Sequence, residues 1–195
     1  MIRDYEIATL SKSQRLSAAL IYALRSYKFR VVLRLRLSQH IGRTPLRRRI
    51  GKILYVRNCR RGVDIHPNAK IGPGLRLAHP WGIVVGEHVE VGKCVRLMHG
   101  VTLGGSGGKK DSSDPSFSMP RLGDYCLIGA GAKILGPVKI GVGSVVGANA
   151  VVTKSVPPWT VVGGIPALEL KRITKQNVTS IHNMRIVSID EVPSR

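Results

Sequence analysis

Aliphatic side chains recur at every sixth position through the middle of the chain, from residue 65 to 101 and again from 122 to 152. This period fits neither an amphipathic helix nor an alternating strand, because five residues of mixed polarity separate successive anchors. It is the repeat of a parallel β-helix, in which three hexapeptides close one coil and stacked coils bury a column of anchors. The anchors are Ile65, Ile71, Leu77, Ile83, Val89, Val95, Val101, Leu122, Ile128, Ile134, Ile140, Val146 and Val152.

Small residues occupy a second fixed place, four positions after an anchor. We expect this position to face inward, because a larger side chain there would collide with the next coil. The same frame puts His99 four residues after Val95 and therefore predicts an inward, structural or interfacial histidine. The small residues are Ala69, Cys126, Ala132, Ser144 and Ala150.

Several motifs within the repeat resemble one known family. They cover residues 62–67, 82–87, 101–105, 128–136 and 164–167, with His79 between the first two. In these motifs the chain resembles the hexapeptide-repeat acyltransferases, and most of all their serine acetyltransferase branch. The resemblance implies a mainly β fold, a left-handed parallel β-helix of hexapeptide repeats that assembles as a homotrimer. An extended loop and a short N-terminal helical cap complete the predicted architecture.

The chain divides into three parts on this pattern. Residues 1–61 form a basic helical region, residues 62–171 form the β-helix domain with a loop at 104–121, and residues 172–195 form a tail. The basic region shows two or three short helical segments, and Pro45 ends or kinks one of them. Its structural role is predicted to be a cap over the open end of the β-helix. Contact with an anionic membrane surface through its basic residues is an additional role that we consider.

The charge distribution and the cysteine content indicate which partners and which cellular compartment to expect. The net charge is +20, and residues 1–61 hold sixteen of the 31 lysines and arginines against two acidic residues. Nucleic acid is not expected as a partner, because no recognised binding motif or aromatic platform accompanies this charge. Three scattered cysteines fit a reduced compartment, and no signal layout or long apolar run is present. We therefore expect a cytoplasmic protein, with peripheral contact at the inner face of the membrane as an option.

His79 is the predicted catalytic residue. Transfer of an acyl group to a hydroxyl needs a base to remove the hydroxyl proton, and imidazole suits that role near neutral pH. Asp64 lies fifteen residues earlier, which in an eighteen-residue coil predicts a place near His79 on the adjacent coil. A carboxylate there would fix the imidazole tautomer and stabilise the imidazolium. The resemblance likewise assigns the matching pair in serine acetyltransferases to a catalytic dyad.

The resemblance also supplies a donor site for acetyl-CoA along the later coils. It assigns to this site six positions, where small residues would let the pantetheine arm approach and a lysine would meet a phosphate. No combination of histidines has the spacing of a zinc site, so no metal is expected. The assigned positions are Gly104, Ala130, Ala148, Gly164, Ala167 and Lys171.

Three departures from the serine-specific pattern concern the acceptor. Ala78 stands where the resembled enzymes have aspartate, and Ser118 and Met119 replace arginine and histidine in the loop. Those charged groups hold the ammonium and carboxylate of an amino acid, whereas a neutral hydroxyl would not need them. This favours a sugar hydroxyl in surface polysaccharide biosynthesis as the acceptor. Within the branch, the chain then looks more like the enzymes that acetylate capsular, colanic or exopolysaccharide sugars. The alternatives are a serine O-acetyltransferase of cysteine biosynthesis and, from another class, a non-catalytic trimeric scaffold.

Overall fold

The computed structural model describes residues 25–40, 45–108 and 118–175. Two helices, α1 (Tyr27–His40) and α2 (Pro45–Cys59), precede a run of short strands. The strands are β1 (Val63–Ile65), β2 (Lys70–Ile71), β3 (Arg76–Leu77), β4 (Ile83–Val85), β5 (Glu90–Val91), β6 (Arg96–Leu97), β7 (Thr102–Gly104), β8 (Arg121–Leu122), β9 (Leu127–Ile128), β10 (Lys133–Leu135), β11 (Lys139–Ile140), β12 (Val145–Val146), β13 (Val151–Val152), β14 (Thr160–Gly163) and β15 (Leu168–Arg172).

The strands form three sheets, and from β1 to β13 every third strand joins the same sheet in parallel. We name them sheet A (β1-β4-β7-β10-β13), sheet B (β2-β5-β8-β11) and sheet C (β3-β6-β9-β12-β14-β15). Successive strands in the chain thus belong to successive sheets, as a coil with three sides requires. The last pairing, β14 with β15, is antiparallel and ends the solenoid as a hairpin. The predicted parallel β-helix with an N-terminal helical region is confirmed.

The coils differ in length, and the first coil is longer at the corner that contains His79. Arg96 pairs with Arg76, twenty residues before it, whereas Val145 pairs with Leu127, eighteen residues before it. The two additional residues of the first coil lie in the corner between β3 and β4, which contains His79. From this corner to β7 the innermost anchors are two residues later than the sixfold pattern predicts, and from Leu122 in β8 the predicted anchors are innermost again.

The displaced anchors explain why the sixfold pattern of aliphatic residues continues in the sequence past the insertion without a visible break. Val85 and Leu103 stack on Ile65 in sheet A, and they are almost fully buried. Ile83 and Val101 fill a second inward row two residues earlier. Because both rows are aliphatic, the period of six survives the insertion in the sequence. The small residues expected to face inward do so: Ala69, Cys126, Ala132, Ser144 and Ala150 are all buried.

Helix α1 covers the first coil. Val31 and Leu35 are buried in the same core cluster as the β-helix anchors. The Gln39 side chain donates to the carbonyl of Ala69 at 2.8 Å, and Arg36 donates to the carbonyls of Ile71 and Gly72. These contacts satisfy backbone groups at the open end of the solenoid, which is what a cap must do.

Neither described helix is long and apolar enough to cross a membrane. Parts of three predicted segments lie outside the described residues: the N-terminal residues 1–24, the loop residues 109–117 and the tail residues 176–195.

Candidate active site

His79 stands on the enlarged corner between β3 and β4. Its backbone is left-handed, with a φ of 56°, and its side chain is exposed. Five other non-glycine residues in the described ranges also have positive φ, so this conformation belongs to the corners of the fold. What distinguishes His79 is the corner itself, in which Trp81 is 68% exposed and packs beside Gly62 of the first coil. An imidazole and an indole thus project together into solvent at this place.

His99 occupies the corresponding corner one coil later. Because Arg76 pairs with Arg96 and Leu77 with Leu97, the residues two beyond these leucines, His79 and His99, take equivalent positions. Their ring centroids are 6.2 Å apart with the planes at 84°, an edge-to-face arrangement. His99 is exposed. The predicted inward orientation of His99 is therefore wrong, because the insertion after Leu77 shifts the frame by two residues.

Asp64 lies at the centre of β1 and points away from the core, between the buried Val63 and Ile65. It pairs with Val84 of β4, the strand that follows the His79 corner. Asp64 therefore begins the coil that this corner ends, and the coil has twenty residues rather than eighteen. Within the described residues, Asp64 and His79 form no ion pair or hydrogen bond with each other.

The carboxylate of Asp64 is instead held by helix α2. The Tyr55 hydroxyl donates to Asp64 Oδ1 at 2.7 Å, and the Cys59 thiol lies 3.8 Å from the same oxygen. This hydrogen bond, followed by burial, raises the pKa of Tyr55, while burial is the main cause that raises the pKa of Cys59. Sequence analysis missed Tyr55 entirely. The only signal was its spacing of four from Cys59, which puts both residues on one helix face.

Three of the expected donor residues continue the corner column of His79 and His99. Through the registers of sheet C, the position of His99 corresponds to Ala130, then Ala148, then Gly164. Ala148 and Gly164 are exposed, so the backbone along this column is open to a ligand. These small residues form a strip of corner positions that begins at the two imidazoles.

The other three donor residues lie apart from this column. Ala167 donates its backbone N–H to the carbonyl of Val151, next to Gly164, and Lys171 is exposed on β15. Both are therefore at the far end of the strip. Gly104 is different, because it ends β7 and receives a hydrogen bond from the N–H of Gly136 at 2.8 Å. The structure places Gly104 at the opposite end of the sheet A strands from the His79 column.

Met119 also lies at that opposite end. A Cβ on Gly86 would be 3.2 Å from the Met119 methyl group, and one on Gly105 would be 3.5 Å from its sulfur. The side chain is thus packed where β4 ends, whereas His79 precedes the start of β4. In a single chain, the loop position that the resemblance assigns to acceptor binding is separated from His79 by the length of this strand.

A base, a neighbouring imidazole, a nearby carboxylate and an open strip of backbone suit transfer of a group from an extended donor to a hydroxyl. A lysine supports this corner, since Lys133 Nζ donates to the Gly100 carbonyl at 2.8 Å and to Thr102 Oγ1 at 3.1 Å. Among the described side chains, no group of three or more potential ligands is placed to hold a metal ion.

Comparison with known proteins agrees with this geometry. The model of the bacterial transferase hexapeptide (six repeats) matches residues 119–154. A serine acetyltransferase of Mycobacterium tuberculosis is 55% identical over 108 residues, which is 54% of this chain and 44% of that protein. A soybean serine acetyltransferase solved in complex with serine is 41% identical with a TM-score of 0.67, covering 76% of this chain and 60% of that one. A Neisseria gonorrhoeae serine acetyltransferase is 32% identical with a TM-score of 0.66, covering 86% of this chain and 67% of that one.

The chain belongs to the hexapeptide-repeat acyltransferases. It spans between about a third and a half of the length of the curated relatives that it matches. These relatives, like the solved structures, are serine acetyltransferases, so the predicted membership among polysaccharide-acetylating enzymes, with a sugar hydroxyl as the acceptor, is wrong. The prediction gave Ala78 and Met119 too much weight. Replacing two side chains changes the ionic contacts available to an acceptor, whereas the similarity to serine acetyltransferases covers more than half of the chain.

Proposed function

We propose that this hexapeptide-repeat protein is an acetyl-CoA-dependent O-acetyltransferase whose acceptor is the hydroxyl of serine. The observation that supports it best is the exposed His79 at the start of a column of small corner residues, on a scaffold similar to serine acetyltransferases. The column offers the donor a backbone edge with small side chains, and the imidazole of His79 stands at one end of that edge.

In the proposed reaction His79 is the general base. Its imidazole takes the proton from the serine hydroxyl while the oxygen attacks the thioester carbon. The tetrahedral intermediate then collapses with cleavage of the C–S bond, and the imidazolium returns the proton to the sulfur. The products are O-acetylserine and the free thiol of CoA. Asp64 is assigned to the orientation of His79 and to the stabilisation of its charged form.

The proposed donor site follows the corner column. Ala130, Ala148 and Gly164 would let the pantetheine arm lie against backbone groups, because none has a side chain that blocks the edge. Ala167 and Lys171 at the end of the strip are assigned to the nucleotide end, where a lysine can meet a phosphate. Gly104 is assigned to the same donor through a neighbouring subunit, since in one chain it lies away from the column.

We also propose a trimer as the active form. His79 and Met119 lie at opposite ends of β4, so one chain cannot place both the base and the acceptor loop at a single reacting centre. A second copy that presents its loop to the His79 corner would complete the site. Light scattering coupled to size exclusion would report this assembly, and a monomer with full activity would contradict it.

The three replaced positions predict weak serine binding rather than a different reaction. Ala78 provides no carboxylate for the ammonium group, and losing such a contact costs about 2 to 5 kcal/mol when the charges are desolvated. Introducing the carboxylate by Ala78→Asp is expected to lower KM for serine at least about tenfold, because 1.4 kcal/mol corresponds to a factor of ten. KM for acetyl-CoA, which would not contact this group, serves as the internal control.

The experiment that tests the function is release of CoA thiol from acetyl-CoA with and without L-serine. We expect serine-dependent release in the native protein and a loss of about 10²- to 10⁴-fold in kcat for His79→Ala. His88→Ala is the matched control, since His88 is an exposed corner histidine away from the column. A native protein that binds acetyl-CoA but releases no thiol with serine would overturn the proposal and favour a scaffold.

A further inference from the structure

Asp64 is the outward residue of sheet A that accepts side-chain hydrogen bonds from the helical cap. The outward row of this sheet consists of residues 64, 84, 102, 133 and 151, as its paired registers show. Asp64 is the only carboxylate in the row. It is also the residue that α2 reaches, through the Tyr55 hydroxyl at 2.7 Å and the Cys59 thiol at 3.8 Å.

Both contacts fall on the same carboxylate oxygen. Tyr55 and Cys59 approach Oδ1 from consecutive turns of α2, which are four residues apart. No described contact of Asp64 uses Oδ2. A carboxylate oxygen with two donors is fixed in direction, and fixing one oxygen of a planar group also fixes the other. The cap thus determines the orientation of Asp64 and keeps one oxygen for another donor.

We propose that Tyr55 is a positioning residue of the reaction, which holds Asp64 so that Oδ2 is presented to the imidazole of His79. This inference rests on the proposed function, in which Asp64 orients His79. It gives the N-terminal region a second role besides closing the solenoid, because its last helix then belongs to the catalytic apparatus. Tyr55 itself touches neither substrate nor the reacting atoms.

Two features make a tyrosine suitable for this task. Its ring packs edge-on against His66 at 6.2 Å between centroids, and this contact restrains the position of the hydroxyl. The hydrogen bond to Asp64 and burial raise the pKa of the phenol, so the hydroxyl stays protonated over the working pH range.

The test is the titration of His79 followed by NMR of ¹³C-labelled histidine in the full-length protein, with the resonance assigned by its absence from His79→Ala. In Tyr55→Phe the carboxylate of Asp64 loses the hydrogen bond that fixes its direction, so Oδ2 is presented less well to the imidazolium. We expect the midpoint of His79 to fall, and kcat with serine to fall about three- to tenfold because Asp64 is less well oriented. Tyr27→Phe is the matched control, because Tyr27 donates from the same cap to the Arg61 carbonyl at 3.4 Å.

A double-mutant cycle separates this role from a merely structural one. If Tyr55 acts through Asp64, the change caused by Tyr55→Phe disappears when Asp64→Asn is already present. A midpoint that is the same in Tyr55→Phe and native protein overturns the inference, as does a shift that persists beside Asp64→Asn. The titration needs no substrate. A shifted midpoint without serine turnover would therefore reject the proposed acceptor and retain the coupling of Tyr55 to His79.

Discussion

The imidazoles of His79 and His99 lie edge-to-face, 6.2 Å apart, on equivalent corners of consecutive coils. This relationship follows from the insertion of two residues in the first coil, which brings the two histidines into register. It places a second imidazole beside the proposed base within one chain. An aromatic neighbour in this geometry restrains the ring that it contacts and contributes about 0.5 to 1.5 kcal/mol.

Replacing His99 should therefore weaken catalysis without abolishing it. For His99→Ala we expect kcat to fall about three- to tenfold, because the ring of His79 loses the contact that orients it. The measurement is kcat at saturating acetyl-CoA and serine. His88→Ala controls for removal of an exposed corner histidine. Activity of His99→Ala equal to that of the control would show that the pair has no catalytic consequence.

A large side chain at Ala148 should obstruct the donor. Ala148 is exposed on the corner column, so Ala148→Tyr is expected to leave the fold intact and to raise KM for acetyl-CoA by about tenfold or more. Val142→Tyr is the matched control, because Val142 is an exposed corner residue of the same coil on another edge. Equal KM values in the two variants would place the donor elsewhere on the solenoid.

Much of this fold could be predicted from the sequence, since the sixfold pattern identifies the coils and the small residues that point into them. Ala132 and Ala150 are fully buried, as their spacing indicates. His99 shows where the pattern fails. The insertion of two residues moves the innermost position from one row of aliphatic residues to the other. Because both rows are hydrophobic, the hydrophobic pattern alone cannot reveal this change. Only the paired registers show that Leu97, and not Val95, is the anchor from which His99 must be counted.

The candidate site was predictable only in part. The functional roles of His79, Ala130, Ala148 and Gly164 stay predictions that the resemblance implies, and the strand registers place the four residues on one column. Tyr55 could not be predicted from the sequence, for a physical reason. It belongs to a helix whose approach to β1 depends on tertiary packing, and no local pattern encodes which helical side chain meets an outward residue of the first strand.

The close stacking of the coils predicts a stability effect at Gly141. A Cβ there would lie 2.2 Å from the backbone nitrogen of Pro158 on the next coil, a distance that only movement of the backbone can relieve. Gly141→Ala is therefore expected to lower the free energy of unfolding by about 1 to 3 kcal/mol. Urea denaturation measures it, with Gly105→Ala as control, since a Cβ on Gly105 would meet only the Met119 sulfur at 3.5 Å. A stability loss no larger than that of the control would mean that the coils tolerate separation at this point.

The ion pairs of Glu90 predict that the stability of the fold depends on pH and salt. Its carboxylate joins three coils on the outer face of sheet B, 2.7 Å from Lys70 Nζ and 3.5 Å from Arg121 Nε. The hydrogen bond from Lys70, together with the charges of Lys70 and Arg121, holds the pKa of Glu90 below its usual range.

The pKa of Glu90 is lower in the folded state than in the unfolded chain. Its ion pairs therefore stabilise the fold fully above the pKa of the unfolded chain, and this stabilisation disappears as the pH falls through the pKa of the folded state. Because Lys70 is largely exposed, we expect Glu90→Gln to cost less than about 1 kcal/mol at pH 7. The difference from native protein should vanish once the pH is below the lowered pKa of Glu90, and it should shrink in about 1 M salt. Thermal melting across pH and salt measures this. Glu169→Gln, whose ion pair with Arg172 stays within β15, is the control. A difference that persists at low pH would assign the effect to packing rather than to charge.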